Sequence, residues 1–186
     1  CFLCGSNPMS GVLSDNVGRA GGLVKAAGGG GFTQGTEQAT TSGTAMSFTS
    51  IPAGTKMINM QMVGVSFSSG STELCIQIGD SGGYETSSYL GRTSDHSGSM
   101  AALSNAFQMT NGGDGSHVYH GQAILTLEDS SDYTWTGFWV LGRSDGANGY
   151  IGAGSKSLSA ELDRVQLTTT GGSNTFDAGV VNISYI

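Results

Sequence analysis

Five residues in the first half of the chain, Gly79-Asp80-Ser81-Gly82-Gly83, spell GDSGG directly after the apolar run LCIQI. A serine set between glycines in this way is what acyl transfer asks of a nucleophile, because a sharp turn exposes Oγ. The chemistry also needs a general base. All three histidines, His96, His117 and His120, follow Ser81 in the chain. That order excludes the two protease triads in which histidine precedes serine. The hydrolase order of serine, acid, histidine survives, with Asp95 or Asp114 and His117 or His120 as partners. It requires a strand, a turn and a helix, and the residues after Ser81, GGYETSSYLG, offer no helix. The reading that remains is a glycine-rich turn ending a strand, with Asp80 and Ser81 bonding turn amides. No catalytic residue and no enzymatic activity are expected.

The other candidates for chemistry fare similarly. His117 and His120 stand three apart, so in a strand they point to opposite faces and do not share a metal. The loop acids Asp80, Glu85, Asp95, Asp114 and Asp145 lack the ligand spacing of a calcium loop. Cys1 and Cys4 form a C-x-x-C pair without a second pair or a βαβ context, so neither zinc nor thioredoxin chemistry follows. Packing in an anchoring tip suits them better than a disulfide. Cys75 lies in the alternating segment ELCIQIG and reads as a small buried hydrophobe. No metal and no cofactor are expected. Trp135 and Trp139, four apart on one strand face, read as core. Tyr119, Tyr133 and Tyr150 are the aromatic candidates for stacking on a glycan.

The elements around these residues read as strands. The chain has 186 residues, with 32 glycines, two prolines and only 11% charged residues. Such a mixture favours many short strands joined by turns and leaves few charge pairs to support helices. Strand candidates run over 45–51, 56–68, 73–79, 106–109, 116–128, 133–142, 161–170 and 179–186, separated by SSGS, NGGDGS, SDGANG and TTGGSN. MAALSNAFQM is the one helix-like stretch. About eight strands at this spacing predict an all-β antiparallel sandwich of jelly-roll type. MINMQMVGV and YTWTGFWVLG are apolar on both faces, which predicts outer faces covered by sister subunits.

Residues 1–39 differ from the rest. They include four consecutive glycines, Gly28 to Gly31, and hydrophobic feet at Phe2-Leu3, Val12-Leu13 and Leu23-Val24. Arg19 and Lys25 against Asp15 make residues 1–31 net +1, whereas five bases against 13 acids leave the remainder at −8. The expectation is an anchoring arm and linker over 1–39, with the anchoring contacts at Phe2, Leu3, Val12, Leu13, Arg19, Leu23, Val24 and Lys25. The sandwich is expected over 40–186. The net charge of −7 argues against a nucleic-acid partner. No run of 18 apolar residues is present, so no membrane partner is expected. With no basic and apolar leader in view, synthesis in a cytoplasm is expected.

The strings IQIGDSGGYETSSYLG, VYHGQAILTL, W-x-x-x-x-VLGRSD, GSKSLSAELDRVQLTTT and NTFDAGVVNISYI occur in this order. Together they resemble a domain recurring at the C-terminus of bacteriophage tail-fibre and other virion surface proteins, over residues 45–186. The arm LSDNVGRAGGLVKAAGGG resembles a segment that precedes head-domain-like modules in phage structural proteins. The resemblance implies a non-enzymatic β-sandwich, often trimeric, displayed on a virion, and brings no catalytic site. Tail fibres carry a shaft; this chain has neither heptads nor a G-X-Y period. A knob on a short arm sits close to the particle, so a capsid decoration (cement) protein is preferred. The alternative is a short tail-fibre or receptor-binding protein recognising host surface glycan. The expected partners are two further copies in a homotrimer, and a major capsid protein or tail component held through the arm. The expected location is the virion, after synthesis in the host cytoplasm.

Overall fold

The computed structural model describes residues 31–68 and 70–186. The anchoring positions from Phe2 to Lys25, together with Cys1 and Cys4, lie outside the described residues. Fourteen strand segments follow in order among the described residues: β1 (Thr33–Gln34), β2 (Gln38–Ala39), β3 (Ala45–Thr49), β4 (Met57–Phe67), β5 (Leu74–Asp80), β6 (Gly83–Tyr84) and β7 (Leu90–Asp95), then β8 (Met100–Ala101), β9 (Phe107–Gln108), β10 (Tyr119–Asp129), β11 (Thr134–Arg143), β12 (Gly149–Ser157), β13 (Arg164–Thr169) and β14 (Phe176–Tyr185). One 3₁₀ turn, Thr170–Gly172, is the only helical piece among them. The helix-like stretch MAALSNAFQM instead contributes β8 and β9.

The strands form an all-β sandwich of two antiparallel sheets. The larger sheet has the order β1-β14-β4-β10-β11-β12-β7-β8, with β2 also on β14. The smaller has the order β3-β13-β5-β6, with β9 also on β5. The chain passes repeatedly from one sheet to the other, and β13 and β14 return beside β3 and β4. The hairpins β10-β11-β12, completed by β7 and β8, extend the larger sheet into a wing. The compact body begins at Thr33, so residues 33–39 of the expected linker belong to it, paired through β1 and β2 to β14. Apart from β3, the strands at the sheet edges are two residues long, which leaves little free backbone for foreign strands.

The core follows from the alternation of each strand. Ile58, Met60 and Met62 of β4 point inward, as do Leu125 of β10, Trp135 and Trp139 of β11, and Val165 and Leu167 of β13. They meet Leu74, Ile76 and Ile78 of β5 and bury Phe67, Phe107 and Phe176 completely or nearly so. The apparent two-faced character of MINMQMVGV has a local cause. Val63 faces outward by alternation with Met62, and the ladder slips where Gly64 (φ 68°) and Gly179 (φ 96°) adopt left-handed backbone, which turns Val65 to the inside. A side chain on Gly179 would place its Cβ 2.4 Å from the Gly64 carbonyl carbon.

The wing was not evident in the sequence pattern because glycine interrupts its alternation. Gly152 of β12 faces Trp139 in register, and a Cβ there would lie 2.4 Å from the indole nitrogen. The Trp139 indole N–H donates to Thr93 Oγ1 of β7 at 3.2 Å, tying three wing strands together.

Candidate functional site

GDSGG is a hairpin turn. Asp80 pairs with Gly83 and Gly79 with Tyr84, leaving Ser81 and Gly82 as a two-residue connection. The first glycine is required by close approach, since a Cβ on Gly79 would lie 2.0 Å from the Gly83 carbonyl oxygen. Asp80 does what a turn aspartate does. Its Oδ2 accepts the Ser159 hydroxyl at 2.5 Å and its Oδ1 accepts the Gly82 N–H at 2.8 Å. The Ser159 bond first, then the Gly82 amide, hold its carboxyl below the usual carboxylate range. Ser81 is exposed, and its hydroxyl bonds neither a turn amide nor a histidine.

The histidines sit elsewhere and are engaged. His96 Nδ1 bonds Asn148 Oδ1 at 2.7 Å. His117 Nδ1 bonds the Tyr119 hydroxyl at 3.1 Å, and burial, then the Arg143 charge, press its pKa below the ordinary value. His120 accepts the Gly64 N–H at Nδ1 (3.2 Å) and bonds Ser144 Oγ through Nε2 (3.1 Å). His117 reaches the inward-facing Tyr119, whereas His120 lies over the Gly64 crease. Among the described residues, no group of three or more His, Cys, Asp or Glu is arranged to hold a metal ion.

The polar loops near β10 serve the fold. Asp145 pairs with Arg143 and accepts the Val118 N–H at 2.7 Å, so its carboxyl is held far below the usual range, mainly by the arginine. Glu73 accepts from Thr110 Oγ1 (2.8 Å) and from the amides of Gly112 (2.9 Å) and Gly113 (3.1 Å). Two of the expected glycan contacts are corrected by burial. Tyr119 is 0% and Tyr150 2% exposed, and their rings pack 6.1 Å apart inside the sandwich, with Phe67 5.8 Å beyond Tyr119. Neither ring can offer a face to a sugar. Tyr133 is half-buried against the core at φ 53°. Trp135 and Trp139 are core residues, as their spacing predicts.

What the larger sheet leaves outside is the more unusual surface. The register aligns three outward rows across its strands. One runs Asn59, Ile124, Phe138, Ala153, Arg92; the next runs Gln61, Gln122, Val140, Ile151, Ser94, Met100. The third runs Met57, Thr126, Thr136, Ser155, Leu90. Phe138, Val140, Ile151, Leu90 and Met100 are 47%, 45%, 55%, 68% and 65% exposed. These rows contain no carboxylate, in a chain of net charge −7, and Arg92 is their only charge. At about 4.8 Å per strand and about 6.8 Å per row, these rows cover roughly 500 Å², about half of it from apolar side chains. The sequence pattern points to outward apolar residues on β4 and β11, and the structure adds Ile151 of β12 and Leu90 of β7 to them.

Comparison with protein-family models, with curated proteins and with solved structures gave no match to this chain.

Proposed function

We propose that this protein is a non-enzymatic structural component of a bacteriophage virion. In this reading it is a self-associating surface knob held to the particle by its N-terminal arm, as a capsid decoration (cement) protein. The observation that carries the reading is the carboxylate-free apolar face of the larger sheet. Its roughly 500 Å² is over half of the ~800 Å² per partner of a standard protein interface, and an exposed apolar cluster of this kind is often functional. A second and third copy of the same chain are the occupants that fit, because the face carries no charge pattern demanding a different partner. The virion part of the reading is supported by the ordered motifs over residues 45–186 and by the hydrophobic feet of the arm. Deleting residues 1–31 should abolish particle association while leaving the oligomer intact. Full particle occupancy without the arm would overturn the anchoring, and a monomeric full-length protein would overturn the assembly.

A second reading, a short tail-fibre or receptor-binding knob that recognises host surface glycan, is favoured by one observation away from this face: an uncharged groove along the β3 edge of the sandwich.

A further inference from the structure

The groove lies where β1 and β2 pass the free edge of β3, and encloses about 450 Å³. Its floor is apolar: Phe48, Ile51 and Ile183 are 7%, 5% and 2% exposed. Its rim is polar and uncharged, carrying Gln34, Thr36, Thr49, Ser50 and Tyr185. No aspartate, glutamate, lysine or arginine lines it. Among the described residues, the side-chain amide and hydroxyls of these five rim residues have no hydrogen-bond partner. Some loop hydroxyls elsewhere are committed, and Ser97, Ser116, Ser131 and Thr134 each donate to the aspartate two residues before them.

Two features show how the groove is held open. Gly35 lets the β1–β2 segment lie against β14, since a Cβ there would meet Asn182 Oδ1 and the Ile183 carbonyl at 3.0 Å. Ser50, at the rim, sits at φ 60°, a conformation that costs free energy in a non-glycine residue and persists where the surroundings impose it.

We propose that this groove binds a neutral saccharide. Uncommitted hydroxyl and amide groups above an apolar floor match a ligand that is polyhydroxylated on its edges and apolar on its ring faces. The absence of charge fits an uncharged sugar, because a carboxylated or sulfated one would find no cation to compensate its desolvation. An added peptide strand fits less well. The Gln38 side-chain amide donates to the Ser47 carbonyl at 2.7 Å and so occupies the midpoint of the β3 edge. The inference rests on the glycan-recognition reading and is independent of the self-association face.

The test is a titration of the isotope-labelled full-length protein, followed by backbone amide resonances. The probes are neutral tetrasaccharides built from glucose, galactose or N-acetylglucosamine at up to about 10 mM, with sialyllactose as the charged comparison. At least one neutral probe should shift resonances confined to residues 34–38, 47–51 and 183–185, with little response to sialyllactose. Thr36→Lys and Thr49→Lys, both on exposed positions, should each weaken that binding about tenfold or more. Tyr185→Ala should do the same, with the lysine variants deciding the matter if it unfolds. Neutral-sugar shifts located elsewhere would overturn the groove assignment while leaving glycan recognition standing. No response to any sugar would overturn both. A Gly/Ser/Val decapeptide that shifts the groove residues when no sugar does would reassign the site to strand addition.

Discussion

Phe138→Asp is the most informative single change, because it tests the apolar face without touching the core. The ring is 47% exposed, so association can still remove about 95 Å² of an aromatic surface of roughly 200 Å². At about 25 cal/mol per Å² that is about 2.4 kcal/mol for each contact. An aspartate at the same place loses this term and adds the cost of desolvating a carboxylate among Ile124, Val140 and Ala153, about 3 kcal/mol or more. The expected loss is therefore on the order of 5 kcal/mol, or roughly 10⁴ in the association constant. Sedimentation equilibrium from about 1 to 100 µM would read this directly. The wild type should run at three times the 18.9 kDa of one chain and the variant at the chain mass. Thermal unfolding of the dissociated variant should be cooperative, since an outward strand position costs at most about 1 kcal/mol. The reasoning fails if the wild type is monomeric at the highest concentration, or if a folded Phe138→Asp protein associates as tightly as the parent.

Other consequences concern the fold. The carboxyls of Asp80 and Asp145 are held below their unfolded values by Ser159 and Gly82 in one case and chiefly Arg143 in the other, so their stabilisation is present above about pH 4 and is lost as pH falls through the folded values. Melting temperature should be nearly flat from about pH 7 to 5 and fall below about pH 4, with a shallower fall in Asp80→Asn; an equal slope in that variant would remove Asp80 from the account. Gly152→Ala drives a methyl into the Trp139 indole and should cost about 1–3 kcal/mol in chemical denaturation, with a change in tryptophan emission; an unchanged midpoint would contradict the packing of the wing. Cys75 is 1% exposed and burial pushes its thiol up to about 12, so peptide mapping after iodoacetamide at about pH 8 should find it unmodified in the native protein and modified in guanidinium. Native labelling comparable to the unfolded level would show that the sheet around it opens.

The eight strand candidates all contain strands; most carry β-branched or aromatic residues at alternate positions, whereas AFQM, with Phe107 alone, forms only the two-residue β9. The pattern was silent on β7 and β12. LGRTSD is mostly polar, and GYIGAGSKS replaces its inward side chains with glycines that make room for Trp139 and Phe107. The fate of GDSGG was legible from chain order and context, although the turn bonds fall to Asp80 and not to Ser81. The burial of Tyr119 has a signal in the sequence, since it shares strand parity with Ala123 and Leu125, both fully buried. Tyr150 offered no such signal, since its same-face neighbours are glycines. The uncharged groove was beyond reach, because it joins residues 34–38, 47–51 and 183–185, which only the topology brings together.

The abbreviated sheet margins bear on how this protein behaves when crowded. Among the described residues five strands are only two residues long, and the longer β3 has its central carbonyl already taken by Gln38. Copies packed side by side at high density thus meet margins that cannot be spliced into a continuous ladder. Growth by lateral zippering is closed off, and attachment is left to sheet faces, whose geometry can satisfy itself in a finite ring. A molecule built in this way can be tiled densely on a support without seeding fibres.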